Sequence, residues 1–353
     1  MSIAITRTTA PKPKPDPAKL GFGQYFTDHM FVMNYTQGTG WHDPRIVPYA
    51  PLPLDPAAMV LHYGQEVFEG LKAYRTERGA IQLFRAIDNV RRFNRSNARV
   101  QIPALDEGLF IEAMETLVRT DADWVPSARD ASLYIRPFLI ATDPFVGVRS
   151  SNTFLFVIIL SPVGAYYPGG MSPTKILVED EDVRAVRGGL GFAKTGANYA
   201  ATIRAQERAK HKGFTQVMWL DALERKYIEE VGTSNAFFVI GGTVITPPLG
   251  GSILPGITRD SCLQLLRQWG VPAEEREISI DEIIAAAGKG RLDEAFASGT
   301  AAVISPVGEL TYKDAAITIN NGQTGPLAQR LYDTLTDIQW GRVKDDRGWI
   351  TVV

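Results

Sequence analysis

The sequence predicts an α+β chain of two domains. Its 353 residues exceed the usual extent of one core and suit two. Apolar runs of strand length are interspersed with segments whose apolar residues recur at helical spacing. One stretch dense in Gly, Pro and Ser, "SPVGAYYPGGMSP", separates two such mixed regions, and nothing repeats at a fixed period.

The opening "MSIAITRTTAPKPKPDPAKL" lacks the continuous apolar segment of a secretory signal. Its alternating Pro and Lys favour a solvated, extended chain, so residues 1–20 are expected to form a disordered arm. Its lack of acidic residues before Asp16 is a transit-peptide trait, but it cannot form the amphipathic helix of one. Residues 21–165 read as a small α/β domain of strands with two or three helices. One helix is "LDEGLFIEAMETLVRTDADW", and "TFLFVIIL" has the composition of a buried strand. Residues 166–178 form the connector. Residues 179–353 read as a larger domain with strands in the majority. Within it "TQVMWLD" is a strand, "NAFFVIGGTVITPP" a hairpin turning at Gly241 and Gly242, and "RDSCLQLLRQW" and "IDEIIAAAG" are helices.

The composition is that of a soluble globular protein, 45% apolar and 22% charged with a formal charge of -2. That balance gives no electrostatic reason for nucleic acid or an anionic membrane as partner. No apolar run approaches the ~20 residues of a membrane span. The single cysteine, Cys262, excludes an internal disulfide and suits a reducing compartment, so the cytoplasm is expected. His29, His42, His62 and His211 show no ligand spacing, and no metal site is expected.

Candidate chemistry starts at "GGLGFAKTGANYA", where Lys194 follows a glycine-rich approach and precedes a helical stretch. Its neighbours Phe192, Ala193, Gly196 and Ala197 are apolar or small, so no local counter-charge is expected. The helix start would add its own positive end. Both favour the neutral amine, which is a nucleophile toward carbonyls; an ordinary surface lysine is the plain alternative. "GGLGFAKT" also nearly spells a nucleotide-binding phosphate loop, but Ala193 stands where that loop needs glycine. In "YIEEVGTSNAFF" strand alternation sends Glu229 and Glu230 to opposite faces, so one of them can point into a site. "GSILPGITRDSC" turns into a helix at Ile257 and Thr258, an anion seat of phosphate size. "ASGTAAVISPVG" offers Ser298, Gly299 and Thr300 in a turn. Arg91, Arg95 and Arg99 recur every four residues on one helix face, either solvated or facing an anion.

A lysine, a carboxylate, an arginine and two phosphate seats are the parts needed to hold pyridoxal phosphate. In order, "FEGLKAYR", "RFNRSNAR", "LYIRP", "PVGAYYPGG", "GGLGFAKTGANYA", "EEVGTSN", "LPGITRD" and "SGTAAVISPVG" resemble the motifs of branched-chain amino acid aminotransferases, class IV enzymes of fold type IV. The resemblance runs from about Gly21 to near the C-terminus. It implies a small N-terminal α/β domain, an interdomain loop and a larger domain of mixed, barrel-like sheet plus helices.

It further implies that Lys194 forms the Schiff base with pyridoxal 5′-phosphate, that Tyr199 bonds the phenolic oxygen, and that Glu230 rather than Glu229 bonds the ring nitrogen. Arg95, Ile257, Thr258 and Thr300 would hold the phosphate. Phe22, Tyr63, Tyr134, Arg136 and Tyr166 would surround the substrate side chain, with Thr233, Ala301 and Ala302 near its carboxylate. Tyr63 and Val148 would come from the other subunit of a homodimer. The implied activity is ping-pong amino transfer between leucine, isoleucine or valine and 2-oxoglutarate. Glutamate and the 2-oxo acids would be the other small-molecule partners. Arg136 would meet the glutamate carboxylate and otherwise stay paired with a tyrosine hydroxyl or solvent. D-Amino acid aminotransferases and aminodeoxychorismate lyase share the fold, but "LYIRP" and "GAYYPGG" favour the branched-chain reading. Where mammalian members carry a Cys-x-x-Cys pair, this chain has Ala302 and Ser305, which excludes a thiol switch there.

Overall fold

A computed structural model describes residues 2–128, 130–164, 171–313 and 315–353. The chain divides into two compact units, each with its own sheet. The first comprises 1–166, 193–196 and 337–353, the second 167–192 and 197–336.

The first unit is built on a nine-stranded sheet. Along it run Ala4–Ile5, Gly40–Pro48, His29–Thr36, Thr153–Val163, Ser132–Ala141, Leu71–Arg75, Ile81–Phe84 and Ile350–Val352, with Glu66–Phe68 added beside Ser132–Ala141. The apolar run read as a buried strand, Thr153–Val163, pairs in continuous register with Ser132–Ala141. Helices Ala86–Arg99 and Glu107–Thr120 pack apolar stripes into the same core. Asp106 caps the second, its carboxylate accepting from the Leu109 N–H at 2.7 Å. At the centre Phe110 meets Phe93 at 5.2 Å and Phe156 at 4.7 Å, both edge-on, the geometry aromatic rings prefer.

Two expectations about this unit are corrected. The N-terminal stretch is ordered against the sheet rather than solvated: Ala4–Ile5 pairs in parallel with Gly40–Pro48, and the Thr8 N–H donates to His29 Nε2 at 2.9 Å. The Lys12 N–H donates to Asp28 at 2.8 Å, while Lys12 and Lys14 lie over the rings of Tyr49 and Trp124. The Pro/Lys composition describes a chain with no partners, and buried Asp28 with these rings supplies them. The segment 337–353, expected in the second domain, belongs here. Ile350–Val352 pairs antiparallel with Ile81–Phe84, and Gln82 donates to the carbonyls of Ile338 and Gln339.

The second unit closes a ring of strands: Ile228–Val231, Gln216–Leu220, Thr174–Glu179, Val303–Tyr312, Leu292–Gly299 and Ser234–Ile240, which pairs back with Ile228–Val231. This mixed barrel is the strand-rich architecture expected. The hairpin to Thr243–Thr246 turns through Gly241 and Gly242 at φ +56 and +81, the left-handed pair that a tight two-residue turn requires. Helices Ile257–Gln268 and Ile280–Gly288 complete it among longer elements. Ser279 caps the latter by accepting from the Glu282 N–H. Among the described residues no helix is long and apolar enough to cross a membrane.

Candidate active site

In the first unit the segment 193–196 is stitched to the sheet. The Lys194 N–H donates to Ser96 Oγ at 2.9 Å, and its carbonyl accepts from the Phe68 N–H at 3.0 Å. The backbone on both sides of the lysine is thereby fixed, and its Nζ lies 4.7 Å from the centre of the Phe68 ring. Strand alternation puts Glu66 on the same face as Phe68. Its carboxylate accepts from the Thr195 hydroxyl at 3.1 Å and from the Gly196 N–H. Burial pushes the Glu66 carboxyl up, opposed by those two hydrogen bonds and by the charges of Arg136 and Lys194. The expectation of no nearby counter-charge at Lys194 is therefore overturned. The carboxylate comes from a strand far earlier in the chain, which a local window cannot see.

Around the same ring, Arg136 sits 4.8 Å from the Phe68 centre and donates to the Tyr134 hydroxyl at 3.1 Å. Its buried Nε has no hydrogen-bond partner among the described residues. Phe22 meets Tyr134 edge-on at 5.0 Å, and a Cβ on Gly70 would run into the Tyr134 hydroxyl and sit 2.7 Å from its ring. Phe22, Tyr134, Arg136 and Lys194 are thus brought together. Tyr63 donates to the Val146 carbonyl and is exposed, as are Phe145, Val146 and Val148 in the segment it meets, the last 86% exposed. Tyr166 lies outside the described residues, as does the whole of "AYYPGG", residues 165–170.

Arg95 does not join this cluster. It is exposed on helix Ala86–Arg99, while Arg92 is buried and grips Glu69 through Nε at 2.6 Å and Nη2 at 2.9 Å. Arg92 lies four residues before Ser96, on the face that holds Lys194; Arg95 is turned by about 100° from Ser96. Regular fourfold spacing marked the solvent face of this helix.

In the second unit Glu229 and Glu230 are both buried on Ile228–Val231. Glu230 Oε2 is 2.8 Å from Arg184 Nε, and its Oε1 accepts from the Leu254 N–H at 3.0 Å and from Asn235 Nδ2 at 3.3 Å. Glu229 accepts from the Ser252 hydroxyl. Burial pushes its carboxyl from 4.5 to about 7, helped by Glu230 and opposed by Ser252 and Arg184. Helix Ile257–Gln268 starts at Gly256 with no capping side chain, so the cap contributes no oxygen to its first-turn amides. A Cβ on Gly256 would run into Asn235 Oδ1. Ile257 and Thr258 are buried at this start. Thr300, Ala301 and Ala302 form the half-buried turn between Leu292–Gly299 and Val303–Tyr312. It ends at Val303 with φ +62, costly for a β-branched residue. Beside it Ser298 Oγ is buried with no hydrogen-bond partner among the described residues. Thr233 is exposed in the turn with Gly232, and Tyr199 is half-buried on the short helix Gly196–Ala200.

Residues 66–310 match the family model described as amino-transferase class IV. The chain belongs to the class IV aminotransferases. This class IV aminotransferase is 57% identical over 352 residues to the branched-chain-amino-acid aminotransferase 2 of Bacillus subtilis, covering 100% of this chain and 97% of that one. It is also similar to the branched-chain aminotransferase of Thermoproteus uzoniensis with norvaline, with a TM-score of 0.76 and 26% identity over 92% of this chain and 99% of that one. The T.th. branched-chain amino acid aminotransferase complexed with N-(5′-phosphopyridoxyl)-L-glutamate matches with a TM-score of 0.72 and 25% identity, over 91% of this chain and 97% of that one. Sequence reading missed Glu66, Phe68, Arg92, Ser96 and Arg184. Arg92 stands about 200° around its helix from Val90 and about 100° from Phe93, so the apolar stripe carried no signal for it.

Proposed function

We infer that the chain exchanges the amino group between branched-chain L-amino acids and 2-oxoglutarate, using pyridoxal 5′-phosphate. The observation that carries the reading is the fixing of Lys194 on both sides of its backbone, with its amine over Phe68. The residues present suit the cofactor. There is an amine on a fixed backbone, a buried carboxylate for a ring nitrogen, an uncapped helix start for a phosphate, and a buried hydroxyl, Ser298 Oγ, without a protein partner among the described residues.

The bound cofactor supplies a carbonyl to carry the amino group and a protonated ring that draws electrons from the substrate Cα. With the cofactor bound, Lys194 would give up its place to the substrate amine, and its Nζ would then move the proton between the substrate Cα and C4′ of the cofactor, from Cα to C4′ in one half-reaction and back from C4′ to Cα in the other. Glu230 holds the proton on the ring nitrogen, and Tyr199 bonds the phenolic oxygen. Ile257, Thr258 and Thr300 hold the phosphate, and we assign the guanidinium there to Arg92 in place of Arg95. Phe22, Tyr63, Tyr134, Arg136, Val148 and Tyr166 form the side-chain pocket, with Thr233, Ala301 and Ala302 at the substrate carboxylate. The unpaired Arg136 Nε supports binding of the glutamate carboxylate. The exposed apolar group around Val148 supports a homodimer that shares these pockets, and the single buried thiol supports the cytoplasm.

A half-reaction tests this. L-Leucine without any oxo acid should replace the visible band of the bound cofactor with a near-ultraviolet one, and 2-oxoglutarate should restore it. Bleaching by D-alanine but not by L-leucine would overturn the substrate assignment. Absence of any visible band after pyridoxal 5′-phosphate is added would overturn the role of Lys194.

A further inference from the structure

We propose that Arg184 is the positioning residue that holds Glu230 charged and oriented, and that it ties this carboxylate to the two loops leading to Lys194 and to helix Ile257–Gln268. The inference rests on the reading of Glu230 as the partner of the ring nitrogen. One guanidinium makes three connections. Its Nε lies 2.8 Å from Glu230 Oε2, with the two side chains 4% and 3% exposed. Its Nη1 donates to the Ser252 carbonyl at 2.9 Å, and its Nη2 to the Gly191 carbonyl at 3.4 Å. Gly191 stands three residues before Lys194, and Ser252 five before Ile257.

The two loops are in direct backbone contact, since a Cβ on Gly191 would lie 2.6 Å from Ser252 Cα. Only glycine permits that approach, and the arginine bridges the carbonyls it brings together. Electrostatics gives the bridge its purpose. A buried carboxylate with a second one, Glu229, in the adjoining position is driven toward its neutral form unless a cation is paired with it. A neutral Glu230 could not hold a proton on a pyridine nitrogen. The Leu254 amide and Asn235 orient the other oxygen, while Arg184 brings a full positive charge to this carboxylate.

The test loads Arg184→Met, Arg184→Lys and Glu230→Gln with cofactor labelled with ¹⁵N in the ring. It records the ring-nitrogen NMR signal, the cofactor dissociation constant, the urea midpoint, and kcat and KM for L-leucine. In Arg184→Met the ring-nitrogen signal should move toward that of unprotonated pyridine. Its kcat should fall by roughly 100-fold, the scale of losing one preorganised charge contact, with KM changing less than about threefold, as for a contact made in the transition state. Arg184→Lys, which keeps the charge but loses the fork, should lie between. A purely structural role would lower the urea midpoint and cofactor affinity while the ring-nitrogen signal stayed put, and that result would overturn the proposal. If Arg184→Met does not fold, a Lys variant with parental signal and kcat overturns it equally. An unmoved signal in Glu230→Gln would instead refute the reading of Glu230 on which the proposal rests.

Discussion

Replacing Glu229 by Gln should make the protein more stable at pH 8 and leave it unchanged near pH 4.5. Burial is the main reason that its carboxyl titrates at about 7 rather than 4.5. The folded state therefore binds this proton more tightly than the unfolded state, and stability declines as pH rises from 4.5 through 7. At about 1.4 kcal/mol per pH unit the full decline is roughly 3 kcal/mol. Glutamine keeps an oxygen to accept the Ser252 hydroxyl and never ionises, so the variant avoids the decline. Urea unfolding followed by tryptophan fluorescence, which includes buried Trp219, would read the difference at pH 5, 6, 7 and 8. With a slope near 3 kcal/mol per molar, the variant's midpoint should exceed the parent's by about 1 M at pH 8. A gap that stays constant across these pH values would refute the assignment of burial as the cause.

Other substitutions probe the remaining contacts. Gly191→Ala must push apart the backbones at 191 and 252 and both carbonyls bonded by Arg184, and should cost roughly 1–3 kcal/mol or more; an unshifted urea midpoint would contradict the close approach. Arg92→Ala should weaken cofactor binding at least about tenfold, and Arg95→Ala should leave it within about twofold of the parent; equilibrium titration with pyridoxal 5′-phosphate distinguishes them, and the reverse order would restore Arg95. Arg136→Met should lower kcat/KM for glutamate by roughly tenfold or more relative to leucine, and equal losses would remove the arginine from carboxylate recognition. Asp28→Asn withdraws the charge that holds Lys12 and Lys14, so trypsin should cut faster after Arg7 and Lys19; unchanged cleavage would show that the strand pairing at Ala4–Ile5 anchors the arm unaided.

What the sequence conveyed was local. The run at Thr153–Val163, the glycine pair at 241 and 242 and the capped helix Glu107–Thr120 each carry their structure in a few adjacent residues. Lys194 and Glu230 sit in motifs that can be read the same way. Arg184 and Glu66 cannot, because each acts on a residue distant in sequence: Arg184 reaches Ser252 and Glu230, and Glu66 reaches Thr195 and Gly196. Composition misled at the N-terminus, where prolines and lysines describe the free chain and say nothing of the carboxylate and rings waiting for it. On helix Ala86–Arg99 the fourfold spacing left a solvated face open, and Arg91 and Arg95 are exposed as that reading has it; the buried arginine is Arg92, outside the spacing.

The pairing of Ile350–Val352 with Ile81–Phe84 also sets a schedule for biosynthesis. A ribosome makes the inner strand roughly 270 residues before its neighbour, a delay on the order of 15–50 s at usual elongation rates. The whole second unit is made in that interval, while the first has an open edge. Strand Ile81–Phe84 is then available to any passing extended chain. The nascent protein should therefore engage chaperones on this edge, and slow translation of the second unit should lengthen its exposure.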